Sequence, residues 1–174
     1  ILYSASDIQE GMFATNVTGA TLKAMTFYLV NSASESWGNA SFKVKIKEVP
    51  TTTTSLNDGY VDMSDATLVF EDTLNAQGNT MTVNFSVGMV YNGGNLVVEI
   101  GNYNPGTYSS SYWYGITRNG ASVSGTSSTS VAGCPATARH FLPKTTFRFE
   151  NGTASSSASH LTVGNEASSS TSIE

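Results

Sequence analysis

The sequence predicts an all-β protein, a sandwich of two antiparallel sheets, and three observations carry the prediction. Apolar and polar residues alternate along several short segments, which is the period-two signature of strands buried on one face. Only 12% of the 174 residues are charged against 39% hydrophobic, so Ser, Thr, Asn and Gly supply most of the polarity. Hydroxyl and short amide side chains compete with a helical backbone for hydrogen bonds, and this mixture favours strands and turns. Turn-forming residues punctuate the runs at short intervals, as two packed sheets require.

Taken in order, Ser4 to Gln9 is the one short helix candidate, with Ser4 or Ser6 as its cap before Gly11. Met25 to Val30 in KAMTFYLV is continuously apolar and predicts a central strand buried on both faces. A turn at Ser36-Trp37-Gly38-Asn39 precedes Phe42-Lys43-Val44-Lys45-Ile46-Lys47, whose apolar side chains fall on one face and whose lysines form a solvated face opposite. A second turn, Asn57-Asp58-Gly59, leads towards a strand at Leu68-Val69-Phe70. Met81, Val83, Phe85 and Val87 alternate with polar residues, and Leu96, Val98 and Ile100 do so downstream. Between them, Tyr91-Asn92-Gly93-Gly94-Asn95 reads as a tight hairpin joining these two strands as an antiparallel pair. Thr146-Phe147-Arg148-Phe149 is the last strand, with both phenylalanines inward.

The length suits one domain around one core, spanning residues 1–151. Residues 152–174 are Ser-rich and read as a C-terminal linker or tail, in which His160 to Val163 could add an edge strand, here or on a neighbouring molecule. A net charge of −5 repels phosphate backbones, which argues against nucleic acid as a partner. No run approaches the roughly 20 apolar residues of a membrane-spanning helix. The single cysteine, Cys134, excludes an intramolecular disulfide and a thiolate metal cluster and reads as a small packed residue. The chain opens at ILYSAS without an initiator Met or a signal peptide, which reads as a mature product or an excised fragment.

An order of short features carries a family resemblance over roughly residues 3–150. ILYSASDIQEG is followed by TLKAMTFYLV, FKVKIKEV with a Thr-rich turn, ATLVFEDTLNAQG, VYNGGNLVVEI and TTFRFEN. In this order the chain resembles a module of secreted and surface proteins of Bacteroidetes that is appended to peptidases, leucine-rich-repeat proteins and adhesins. It departs from that pattern at Glu71-Asp72, where an aspartate- or glycine-rich turn is usual, and in a longer loop from Ser109 to Pro135. The resemblance implies a jelly-roll, galactose-binding-like sandwich, a bacterial secreted or cell-surface setting, a place in a larger multidomain protein and a non-catalytic role. It further implies a structural calcium near the first strand, for which Asp7 and Glu10 are the candidates. Asp72-Thr73-Leu74 looks like the Asp-Thr-apolar sequon for O-glycosylation in that setting, with Thr73 as acceptor; a plain turn after a strand is the alternative.

Catalytic constellations are missing from the sequence. His140 and His160 are the only histidines, and neither lies in a triad motif or beside a G-x-S-x-G elbow. Asp58, Asp62 and Asp65 cluster without the spacing of an EF-hand loop and read as turn and solvent-facing acids. The unusual feature is the aromatic run in NYNPGTYSSSYWYGITRNG: Tyr103, Tyr108, Tyr112, Trp113 and Tyr114, with Arg118 close behind. Aromatic faces stack on the C–H faces of sugars and Arg118 can donate to hydroxyls, so Tyr108, Tyr112, Trp113, Tyr114 and Arg118, with Trp37 as a second anchor, are the candidate ligand-binding residues for a glycan or a surface protein. In a strand, Tyr112 and Tyr114 point one way and Trp113 the other, so core packing is the competing role for part of the run. The sequence therefore frames two functions: an adhesion or glycan-binding module that exposes these rings, and a structural spacer that buries them. A hydrolase would need two acids facing each other across a cleft.

Overall fold

A computed structural model describes residues 1–9, 17–30, 40–104, 111–126, 134–150, 159–163 and 169–173. More than half of the described residues lie in strands, and every strand pair is antiparallel. In chain order the elements are β1 (Leu2–Tyr3), α1 (Ala5–Gln9), β2 (Thr21–Tyr28), β3 (Ser41–Val49), β4 (Thr67–Asp72), β5 (Thr80–Val90) and β6 (Asn95–Asn104). There follow β7 (Ser111–Thr117), β8 (Val123–Ser124), β9 (Thr137–Ala138), β10 (Phe141–Pro143), β11 (Thr145–Glu150), β12 (Ser159–Val163) and β13 (Ser169–Ile173).

Two four-stranded sheets, ordered β1-β6-β3-β4 and β12-β11-β2-β5, hold most of the strand residues. β7 lies between β10 and β13 in a three-stranded sheet, and β8 pairs with β9. A single bridge from Leu29 to Trp113 joins the end of β2 to β7. The principal core draws from both four-stranded sheets: Tyr3, Val44, Ile46, Val69, Leu96 and Val98 from one, and Leu22, Met25, Phe27, Met81, Val83, Phe147 and Phe149 from the other. Tyr3 meets Phe147 edge-to-face at 5.0 Å, and its hydroxyl pairs with Thr145 Oγ1 at 2.7 Å, so the ring is buried without stranding its polar tip. Burial pushes the Tyr3 phenol well above its ordinary range.

The alternation in β3 does what its pattern predicts. Val44 and Ile46 are buried, whereas Lys43, Lys45 and Lys47 pair with Glu71 at 3.0 Å, Glu99 at 3.9 Å and Asp65 at 2.6 Å on the outer face. Phe147 and Phe149 of β11 point inward, as expected. β12 pairs with the free edge of β11 through five residues, so the segment containing His160 to Val163 does form an edge strand on this molecule.

Two expectations are corrected. β2 is central in its sheet, yet it buries one face: Met25, Phe27 and Leu29 are inside while Thr26 and Tyr28 are half-buried. Its register shifts between Leu22 and Ala24, so that Ala24 and Met25 are buried side by side, while beyond Met25 burial alternates as on a one-faced strand. Residues 91–95 are not a hairpin. β5 pairs with β2, β6 pairs with β3 and β1, and the turn carries the chain from one four-stranded sheet to the other.

Tertiary bonds explain the crossing. Tyr91 is fully buried against Phe149, its N–H donates to Ala20 O at 3.0 Å, and its hydroxyl donates to Gly94 O at 2.8 Å. The Glu48 carboxylate accepts from Asn92 N at 3.0 Å, from Asn92 Nδ2 at 3.1 Å and from Gly94 N. Gly93 takes φ 101°, and a Cβ at position 94 would sit 2.7 Å from Val49 O, so both glycines are needed for a reason other than a hairpin.

A second, smaller core lies on the other face of β6, where Leu2, Val49 and Val97 are covered by Leu56 and Met63 of the β3–β4 connection. β6 is therefore buried on both faces along Leu96-Val97-Val98, and the covering loop is what positions the cleft described next.

Candidate functional site

β7 sorts the aromatic run by its pleat. Trp113 faces inward, only 3% exposed, and packs edge-to-face on Phe27 at 6.2 Å. Its assignment to a ligand surface is corrected: alternation on β7 and the bridge to Leu29 commit the indole to the core. Tyr112 faces outward and is 47% exposed; Tyr114 is half-buried. Tyr108, Trp37 and Glu10 lie outside the described residues. Tyr103, near the end of β6, covers Gly101 with its ring, donates to Glu99 Oε1 at 3.3 Å and sits 5.2 Å below the Lys43 ammonium. Tyr112 and Arg118 stand at opposite ends of β7, about 20 Å apart at strand rise, so they do not converge on one small ligand.

Arg118 belongs instead to an open cleft of about 400 Å³ lined by Leu2, Ser4, Ala5, Ser6, Thr51, Thr54, Asn95, Arg118, Asn119 and Ala121. Three pieces of chain form it. The first is α1, where Ser4 caps the helix: Ser4 Oγ accepts the Asp7 N–H at 3.1 Å, and Asp7 Oδ2 accepts from Ser4 N at 2.9 Å and from Ser4 Oγ at 2.6 Å. The second is the Thr-rich loop after β3. Buried Asn95 ties it to α1 by accepting from Ala5 N at 2.7 Å and donating to Thr53 O at 2.8 Å.

The third piece is the turn after β7. Leu2 N donates to Ala121 O at 2.8 Å and Leu56 N donates to Gly120 O at 2.8 Å, docking the turn on β1 and on the Thr-rich loop. Gly120 has φ 72°, and a Cβ there would lie 2.2 Å from Ser55 Oγ, so the close approach requires glycine. His140 takes a structural part here: its Nδ1 accepts Gly120 N at 3.1 Å and its carbonyl accepts Arg118 N at 2.8 Å.

The electrostatic centre is the pair between Arg118 Nη1 and Asp7 Oδ2, with Asp7 mostly shielded and Arg118 40% exposed. Burial alone would raise the Asp7 carboxyl; hydrogen bonds from Arg118 and Ser4 and the charge of Arg118 outweigh it and hold the group below the usual carboxylate range. The guanidinium stands against Asp7, where it would repel a calcium ion, and Asp7 Oδ2 already accepts three donors. Among the described residues no group of three or more His, Cys, Asp or Glu is gathered to hold a metal. Asp65 is engaged by Lys47, and Asp62 accepts from Ser64 N at 2.9 Å.

Thr73 is exposed on the turn after β4, where its N–H donates to Asp72 Oδ1 at 2.7 Å and Leu74 is buried. Cys134 forms no disulfide and is half-buried. Sequence reasoning missed Thr51, Thr54 and Asn95; it read Ser4 and Ser6 only as helix caps, and Asn119 only as a polar neighbour of the aromatic run or part of a turn. Only the Ser4-x-x-Asp7 spacing carried a local signal, that of a helix cap. Among the described residues no helix is long and apolar enough to cross a membrane. Comparison with protein-family models, with curated proteins and with solved structures finds no match for this chain.

Proposed function

We propose that this chain is a non-catalytic accessory module of a bacterial secreted or cell-surface protein, a jelly-roll sandwich that serves adhesion by binding glycan at the Arg118 cleft. The observation that carries this reading is the cleft itself. It is an open cleft whose lining mixes the small or aliphatic residues Leu2, Ala5 and Ala121 with hydroxyls, amides and one guanidinium. Such a surface matches the mixed C–H and hydroxyl character of a sugar, and its volume falls within the roughly 300–1,000 Å³ of small-molecule sites. The shared core between the two four-stranded sheets supports the sandwich. Exposed Tyr112 is an accessory contact on the same domain, too distant for the same sugar. Thr73, exposed beside Asp72, is available as a glycan acceptor in the same export setting.

The test is a glycan array probed with the full chain, with and without calcium, alongside Arg118→Ala and Tyr112→Ala. Saturable binding that Arg118→Ala abolishes, with an unchanged circular dichroism spectrum, supports the reading. No binding in any condition overturns it in favour of the second reading, a structural spacer. Burial of Trp113 favours that alternative, because the largest ring of the aromatic run is spent on the core.

A further inference from the structure

We propose that the cleft selects a neutral saccharide, oriented by hydroxyls on the free N–H groups of Arg118, and rejects acidic sugars. This deepens the glycan-binding reading and rests on it. Among the described residues Arg118 is the only charged side chain lining the cleft. One of its five N–H donors is spent on Asp7; the other four have no partner among the described residues. A guanidinium is usually read as a carboxylate clamp, and an unpaired one would favour uronate or sialate sugars.

Here the cation is already compensated. Asp7 Oδ2 lies in direct hydrogen-bonding contact with Nη1, so a second carboxylate arriving at the remaining donors would meet a like charge across the same guanidinium. The net charge of −5 adds a long-range repulsion of the same sign. What remains is a row of donors with no net charge beside them.

The other polar groups fit the same chemistry. Among the described residues the hydroxyls of Thr51 and Thr54 have no partner and each can both donate and accept, and Asn119 Nδ2 has none there while its Oδ1 accepts from Asn57 Nδ2 at 3.3 Å. Neutral sugar hydroxyls need this mixture of donors and acceptors; a carboxylate needs donors alone. Asn95 and Ser4, by contrast, are engaged in holding the walls.

The experiment is a chemical-shift titration of the full ¹⁵N-labelled chain against two panels, neutral hexose and N-acetylhexosamine oligosaccharides and their uronate- or sialate-bearing counterparts. The expected result is saturable shifts at Ser4 to Ser6, Thr51 to Thr54 and Arg118 to Asn119 with the neutral panel and at least about tenfold weaker effects with the acidic one. Asp7→Asn keeps the shape and an acceptor for Ser4 while removing the compensating charge, and it should narrow or invert that preference. Arg118→Gln should lose the neutral response, and its folding is checked in the same spectra. Acidic sugars binding as well as neutral ones overturns the inference but leaves a glycan-binding module. Shifts centred on Tyr112 overturn the cleft as the site. Silence with both panels overturns the glycan reading itself.

Discussion

Replacing Glu48 by Ala should destabilise the protein by about 2–3 kcal/mol, because one carboxylate holds the crossing between the two large sheets. Glu48 accepts three hydrogen bonds, from Asn92 N, Asn92 Nδ2 and Gly94 N, across a separation of more than forty residues. At a net worth of roughly 1 kcal/mol each the three total about 3 kcal/mol, and water reaching the half-exposed site recovers part of the loss. For a chain of this length each kcal/mol moves Tm by roughly 2–4 °C, so a fall of about 4–12 °C is expected. The assay is thermal and urea unfolding followed by tryptophan fluorescence, with amide exchange read at Asn92 and Gly94. Both amides should be protected in the parent and exchange faster in Glu48→Ala, and Glu48→Gln should fall between them because it keeps one acceptor oxygen. A cost below about 0.5 kcal/mol, with both amides still protected, would refute the reasoning and imply that burial of Tyr91 alone directs the crossing.

Other perturbations probe the remaining parts of the fold. Phe147→Ala removes a fully buried ring packed on Tyr3 and should cost about 3–5 kcal/mol in urea unfolding. Gly115→Ala should cost about 1–3 kcal/mol, because the new Cβ would lie 2.3 Å from Leu142 O and 2.5 Å from the Phe141 ring; a neutral result would mean that β7 and β10 are less closely apposed. The Asp7 carboxyl is held below its unfolded value of 3.8, so its contribution to stability is full above that pH and is lost as pH falls through the lower folded value. Unfolding curves between pH 5 and pH 2 should therefore show an acid-dependent loss that Asp7→Asn removes in part. Lys45→Ala, which breaks a 3.9 Å surface pair, should change stability by less than about 0.5 kcal/mol.

Strand identity was legible from sequence because it is a local property: the face on which Val44, Ile46, Phe147 and Phe149 fall follows from pleating alone. The helix cap was legible for the same reason, since Ser4 and Asp7 are three residues apart. Partner choice was not. Tyr91-Asn92-Gly93-Gly94-Asn95 has the local chemistry of a hairpin, and what makes it a crossing is a carboxylate on β3, a carbonyl at Ala20 and the ring of Phe149. Trp113 shows the same division: alternation established that it opposes Tyr112 and Tyr114, while the bridge to Leu29 and contact with Phe27 decided which side was the core.

The candidate site follows this rule most strongly. Arg118 could be singled out by its neighbours in the chain, but it was grouped with rings at the far end of its strand, and its actual partner is Asp7, 111 positions away. Asp7 was read as an oxygen donor for a cation, and the fold sets the Arg118 guanidinium against it. By itself the sequence determined the strand-rich class, the acidic balance and the inward faces of β3 and β11, because each depends on near neighbours and composition. The tertiary structure decided which strands pair, which aromatic is core and which polar residues share a cleft, because those depend on contacts between residues that the chain holds far apart.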